Sequence, residues 1–195
     1  MATSKPDKAH HHGDLKEALI AAGIALLVEG GLPALTLRKC AARAGVSHAA
    51  PAHHFNGLKG LLTAIVARGF QKFAEQMTSA SERATDPHMN LLGICHGYLD
   101  FSRRNEALAA LMFMTDRLDT SLETFQRSSS NSYQILAAAC TPFCIDAASQ
   151  LTLETLVWST VQGYAELSRN GQVQATNAQF DKMFALLNLQ LVDPG

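Results

Sequence analysis

The sequence predicts an all-α fold in which a small N-terminal helical domain precedes a larger helical C-terminal domain. Three observations predict it. Apolar residues recur at spacings of three and four along nearly the whole chain, the period of a helix with one buried face. No stretch shows sustained alternation with β-branched enrichment, so strands are not expected. The 195 residues are 47% hydrophobic and 17% charged, which is enough apolar material for a core and too little charge for a disordered chain.

Element by element, residues 1–12 read as a flexible basic arm. Asp14, with Glu17 three residues on, forms a capping-box-like pair for a first helix, and Leu15, Leu19, Ala22 and Leu26 give that helix its apolar stripe. Gly30-Gly31 ends it and Pro33 confirms the break. Thr36 is a good N-cap for a second helix, Leu37 to Ala44, and Gly45 supplies the positive φ that stops it. Val46 follows as a small apolar plug. Ser47 can cap a third short helix reaching about Phe55. Asn56-Gly57 breaks the chain, and a longer helix follows from Leu58 to about Ser79.

The C-terminal part reads as longer helices. They run from about Met89 to Arg104 behind Asp86-Pro87, from Ala107 to Asp116, and from Ser121 to Cys140 with Pro142 as the limit. The last two run from about Ala147 to Arg169 and from Asn177 to Leu191, parted by Asn170-Gly171. These elements divide the chain into the arm (1–12), a small helical domain (13–70) and a larger one (71–195).

Charge and composition narrow the function. The net charge is −1, but residues 1–70 carry a net +4 and residues 71–195 a net −5. Six of the eight histidines also lie in the first 70 residues. A basic end points to an anionic partner, nucleic acid first, or is a chance fluctuation over a few charges. Ala18 to Val28, the longest apolar stretch, is too short to span a bilayer, and the N-terminus lacks a signal-peptide pattern. A cytoplasmic protein with no membrane association is expected. Cys40, Cys95, Cys140 and Cys144 are too scattered for a disulfide framework.

No Gly-x-Ser-x-Gly, Walker loop, Gly-x-Gly-x-x-Gly or Glu-x-x-His pattern occurs, so no catalytic residues, cofactor or metal site are assigned. The His10-His11-His12 run could bind a metal, yet such a run more often has no dedicated site. Cys140 and Cys144 could sense thiol oxidation or pack as small hydrophobes, and no basic neighbour lies within four residues to lower a thiol pKa.

The stretch Thr36-Leu37-Arg38-Lys39-Cys40-Ala41-Ala42-Arg43-Ala44-Gly45-Val46-Ser47-His48-Ala49-Ala50 has helix-turn-helix grammar. Small Ala41 and Ala42 permit close helix approach, Gly45 turns the chain, Val46 packs beneath the turn, and Ser47 starts a helix that a major groove could accept. An ordinary αα-hairpin with an alanine-rich interface would read similarly.

Taken with Gly13-Asp14-Leu15, Leu35-Thr36-Leu37-Arg38, Ala44-Gly45-Val46-Ser47 and His54-Phe55 followed by Lys59, the chain resembles the DNA-binding domain of the TetR family of transcriptional regulators over about residues 12–70. The resemblance implies a three-helix helix-turn-helix domain followed by a helical ligand-binding and dimerisation domain. It implies phosphate contacts from Thr36 and Lys59, and base or backbone contacts from Ser47, His48, Ala49, Ala52, His53 and His54. Two residues depart from the family's pattern. Pro51 stands where many members have Leu, and Ala52 where many have a phosphate-contacting Tyr. No Arg or Lys lies in 47–55, so that helix cannot read guanine through a bidentate Arg. Lys5, Lys8 and His10 to His12 of the arm could track phosphates instead. Trp158-Ser159-Thr160-Val161-Gln162-Gly163 is similar to a Trp-His-Gly signature of one branch of the C-terminal domains, with Gln162 in place of His.

For an effector site, the soft run Ala107 to Met114 offers Met112, Phe113 and Met114, with His96, Tyr98, Phe143 and Trp158 as further candidates; plain core packing is the alternative for each. That a pocket exists is implied by the resemblance. Phe180, Phe184, Leu187 and Leu191 form one apolar stripe, and Leu156, Thr160, Gly163 and Leu167 a second of smaller residues. Two such helices per subunit could build a four-helix dimer interface or could be buried within one subunit; the resemblance favours the homodimer. The implied function is a repressor that leaves double-stranded operator DNA when a small-molecule effector binds. The alternatives are an all-helical enzyme, for which no nucleophile–base pair can be named, and a helical protein-interaction module.

Overall fold

A computed structural model of the chain describes residues 8–174 and 176–192, with side chains from residue 15 onward. Among the described residues there are eight α-helices and no strand. They are α1 (Lys8–Ala34), α2 (Leu37–Arg43), α3 (Gly57–Ser81), α4 (Pro87–Arg104), α5 (Glu106–Met112), α6 (Glu123–Cys140), α7 (Ala147–Arg169) and α8 (Asn177–Ala185).

Helix α1 begins at Lys8, upstream of the expected Asp14 cap. Residues 8–12, expected in the flexible arm, therefore belong to this helix; residues 1–7 and the His10 to His12 side chains lie outside the described residues. Glu17 does not close a capping box but pairs with Arg68 of α3. The helix loses its helical backbone at Gly30 and Gly31, where the sequence places its end. Leu15–Ala34 is 20 residues of mean hydropathy 1.5. It is thus long and apolar enough to cross a bilayer, a correction to the expectation from Ala18 to Val28. In the fold this stretch lines the core, with Leu19 and Leu27 0% and 1% exposed.

Helix α3 is the spine. It packs against α1, α2, α4, α5 and α6, and its 25 residues span about 37 Å at 1.5 Å per residue. The expected domain boundary at residue 70 falls inside it, so the N-terminal and C-terminal parts share one rigid element. Against it, α4 crosses at backbone contact. A Cβ on Gly97 would lie 2.6 Å from Met77 Cα, so only glycine permits this crossing.

Three helices are shorter than their apolar spacing predicts. Helix α5 stops at Met112, and a 3-10 turn at Thr115–Arg117 follows. Helix α6 begins at Glu123 rather than Ser121. Helix α8 stops at Ala185 rather than Leu191. Beyond it Asn188 has φ +48°, and the tail turns back onto the subunit. His88 Nε2 lies 2.9 Å from the Leu189 carbonyl oxygen, and Val192 N–H donates to Pro142 O at 3.0 Å.

Candidate nucleic-acid interface and effector cavity

The first helix and the turn of the helix-turn-helix form as their local residues require. Thr36 caps α2, its Oγ accepting from Lys39 N–H at 3.2 Å, which leaves the hydroxyl proton available for a phosphate oxygen. Cys40 and Ala41 are fully buried, whereas Ala42 is exposed, so one alanine rather than two makes the close contact. Gly45 has φ +70°, and Val46 N–H donates to Ala41 O at 3.0 Å, closing the turn over the plug. Arg43 braces α2 against α1 through two hydrogen bonds of 2.6 Å to the Glu29 carboxylate. The Arg43 guanidinium holds the Glu29 carboxyl below its ordinary range.

After the turn, the expected helix from Ser47 to Phe55 is replaced by a turn at 47–49 and a 3-10 helix at Ala50–His53. Ala50 and Ala52 donate to Ser47 O and Ala49 O in the i to i−3 pattern. Pro51 accounts for it, because it has no N–H to give Ser47. The Ser47 side chain makes no cap; Ala49 stands at the N-cap without a side-chain hydrogen bond. Ala50 and Pro51 turn inward and are buried. Ser47, His48, Ala49, Ala52 and His53 are exposed and His54 is half-buried. Thr36 and Lys59 are exposed as well, Lys59 in the first turn of α3.

Helix α3 and the C-terminal helices line an open-mouthed cavity of about 230 Å³. Helix α3 contributes Phe70, Phe73 and Met77; α4 contributes Tyr98; the end of α5 and its loop contribute Met112, Phe113 and Thr115. Helix α6 contributes Phe125, Ser129, Ser132, Tyr133 and Leu136, and α7 contributes Trp158. Four of the seven residues predicted from sequence, namely Tyr98, Met112, Phe113 and Trp158, line it. The other three do not. His96 pairs with Asp181 of α8 at 2.6 Å, Phe143 packs edge-on against His88 with centroids 4.8 Å apart, and Met114 points outward, 40% exposed. The neighbouring Phe113 is 39% exposed and, with Thr115, stands at the rim of the cavity.

Two part-buried polar pairs border the cavity. The Tyr98 phenol donates to Gln162 Oε1, and the Tyr133 phenol donates to Glu154 Oε2. Gln150 Nε2 donates to the other Glu154 oxygen at 2.5 Å. Burial pushes the Tyr98 phenol well above its usual range, offset in part by the Trp158 indole. The hydrogen bond to Glu154 pushes Tyr133 up to about 12. Glu154, Trp158 and Gln162 are spaced by four along α7, so one helix face presents a carboxylate, an indole and an amide in a row. The sequence held this spacing, and it would have pointed to Glu154.

The four cysteines are free thiols. Cys95 and Cys140 are raised by burial, so the Cys140–Cys144 pair lacks the thiolate character of a redox sensor. Cys144 Sγ donates to Cys140 O at 3.2 Å.

Of the two predicted dimer stripes, that on α8 is spent within the subunit. Phe180 and Phe184 are 1% and 7% exposed, Leu187 packs against the same core, and Leu191 lies beyond the helix end. On α7, Leu156 and Leu167 are 46% and 42% exposed, Thr160 is half-buried, and a Cβ on Gly163 would meet no atom within 4 Å.

Two family profiles match the chain. Residues 19–65 match the family described as bacterial regulatory proteins, tetR family. Residues 91–190, half of the chain, match the tetracyclin repressor-like C-terminal domain. The chain belongs to the TetR family. It is therefore a transcriptional regulator with a ligand-binding C-terminal domain, and not an enzyme. No curated protein is significantly similar to this TetR-family regulator in sequence. Its fold is that of solved structures across nearly the whole chain. A protein of unknown function from Rhodococcus sp. RHA1 is 24% identical, with a TM-score of 0.77 over 94% of this chain and 99% of that one. A TetR family transcription regulator from Marinobacter aquaeolei VT8 is 16% identical, with a TM-score of 0.68 over 91% and 95%. The transcriptional regulator FadR from Bacillus subtilis, solved with stearoyl-CoA, is also 16% identical, with a TM-score of 0.68 over 88% and 96%.

Proposed function

We propose that this regulator is a homodimeric repressor of the cytoplasm that binds two-fold symmetric operator DNA and leaves it when a small molecule enters the C-terminal cavity. The observation that carries the reading is the path of α3. Lys59, a proposed phosphate contact, and Phe70, Phe73 and Met77 of the cavity wall belong to one unbroken helix. Lys59 and Phe70 are eleven residues apart, about 16 Å along the axis. A ligand that moves the wall tilts the helix that presents the DNA-binding element.

In this reading residues 13–70 read DNA and residues 71–195 bind the effector and the second subunit. Thr36 and Lys59 hold phosphates. Ser47, His48, Ala49, Ala52, His53 and His54 face the groove, where Ser and His can reach phosphate or base edges and Ala a thymine methyl. Dimerisation runs through the exposed α7 face at Leu156, Thr160, Gly163 and Leu167. Two recognition elements must then be spaced to match successive major grooves, roughly 34–36 Å apart. A ligand that prefers a different spacing shifts the population away from the DNA-bound form, and by linkage DNA opposes the ligand to the same degree.

The test is duplex binding by fluorescence anisotropy across a salt series. Lys59→Ala and Thr36→Ala are expected to weaken binding to every sequence, with Lys59→Ala lowering the log–log salt slope by about one. A change in sequence preference at constant slope would remove these residues from the phosphate-contact class.

A further inference from the structure

The cavity wall has a chemical bias that narrows the effector, an inference that rests on the effector-binding reading above. Seven of its thirteen lining side chains are aromatic, and none is Lys, Arg or His. Its volume of about 230 Å³ exceeds the roughly 150 Å³ that accepts benzene in an apolar protein interior. A ligand of one or two rings fits this volume.

The polar groups on the wall face one way. Four of its five hydroxyls give their protons to the protein. Ser129 donates to Gln126 O at 3.2 Å, Ser132 to Ser129 O at 2.8 Å, Tyr98 to Gln162 and Tyr133 to Glu154. These oxygens have no proton for an acceptor, and those of Ser129, Ser132 and Tyr133 keep lone pairs for a donor, whereas Tyr98 already accepts from the Trp158 indole. Behind the wall, Glu154 is 7% exposed. Its carboxylate is held by Tyr133 and Gln150, and no ion pair forms to it among the described residues. Trp158 follows Glu154 by one helical turn, and its ring lies 5.3 Å from that of Tyr133. Two electron-rich faces therefore stand beside a buried carboxylate, the arrangement that attracts an organic cation. An anionic ligand would be desolvated here with no cation to meet it.

We propose that the cavity binds a compact aromatic amine in its protonated form, a one- or two-ring arylalkylammonium. Its ring packs among the phenylalanines and its ammonium lies against Tyr133 and Trp158, within the field of Glu154. The amine N–H groups meet the hydroxyl oxygens that have acceptor capacity only.

Calorimetric titration of the full, DNA-free protein tests this with three probes of one shape: 1-naphthylmethylamine, 1-naphthalenemethanol and 1-naphthoic acid. The amine is expected to bind at least about tenfold tighter than the alcohol, with the acid weakest. Glu154→Gln is expected to erase most of the amine's advantage while leaving the alcohol unchanged. Equal or tighter binding of the acid or the alcohol, or no binding by any probe, overturns the proposal. The wild-type series decides even if Glu154→Gln fails to fold, and Trp158→Leu then serves as the second variant, expected to weaken the amine more than the alcohol. Because binding is read without DNA, an amine that binds but leaves operator affinity unchanged counts against the release mechanism alone. Release by a carboxylate and not by the amine counts against the charge assignment alone.

Discussion

Pro51 and Ala52 shape the DNA-reading segment more than the residues that would touch a base. Pro51 removes the N–H that a regular helix from Ser47 would need, and a turn with a 3-10 helix takes its place. A 3-10 helix rises about 2.0 Å per residue with three residues per turn, so fewer side chains share the groove-facing side. Ala52 adds no phosphate contact, and the segment has no Arg or Lys. In the proposed reading, discrimination falls on His48 and His53. Their replacement by Ala, one at a time, is expected to alter the ranking of duplex sequences; a uniform loss across sequences in the same binding assay would make them positioning contacts instead. The caps at Thr36 and the positive φ at Gly45 were legible because they depend on a few neighbouring residues. The failure of Ser47 as a cap was not, because it depends on Pro51 four residues away. In the cavity, Tyr133 is held up to about 12 by Glu154. A group whose folded pKa is raised contributes stability that is full below the unfolded phenol value, near 10, and is lost as pH rises through the folded value. Tyrosinate absorbance is expected to show late titration from Tyr98 and Tyr133, and Tyr133→Phe to remove one tyrosine's share of it. A late amplitude unchanged in that variant would contradict the Tyr133–Glu154 pairing.

At the scale of elements, α3 and the loop after α5 form one mechanical unit. Thr63 is fully buried. Its hydroxyl donates to Lys59 O at 2.8 Å and accepts from Asp119 N–H at 2.9 Å. It thereby ties the loop that carries Phe113 and Thr115 of the cavity to the turn of α3 that carries Lys59. Thr63→Val preserves shape and strands a backbone donor, at a cost of about 1–2 kcal/mol. It is expected to lower the thermal midpoint and to reduce the effector's influence on DNA affinity while effector affinity itself changes little. Unchanged coupling would show that the loop plays no part in the switch. Sequence spacing located the eight α-helices of the described residues and predicted one over 47–55 that does not form, yet it missed the α3 wall of the cavity. Phe70, Phe73 and Met77 fall on an ordinary apolar face, and only the packing of α4 and α6 shows that this face is not wholly filled. The overrun of α8 has the opposite cause. Leu187 and Leu191 continue the helical spacing, but the chain turns at Asn188 and the tail hydrogen-bonds back to Pro142.

For the whole molecule, the proposed two-fold assembly decides whether a weakly basic reader can be specific. Of the two stripes expected at the interface, the one on α7 keeps Leu156 and Leu167 exposed. Leu156→Glu is expected to shift sedimentation from dimer to monomer and to reduce operator affinity with the fold retained by circular dichroism; a persistent dimer would move the interface elsewhere. The charge split between the basic first third and the acidic remainder fits one end facing DNA and the other facing away. The family and its architecture were legible in ordered motifs over residues 12–70, whereas the ligand pocket depends on contacts between helices distant in sequence. Sequence-specific recognition by the proposed symmetric dimer is checked by selecting bound duplexes from a random pool at near-physiological salt. Enrichment of a two-fold symmetric site is the result predicted; a pool that stays random would contradict it.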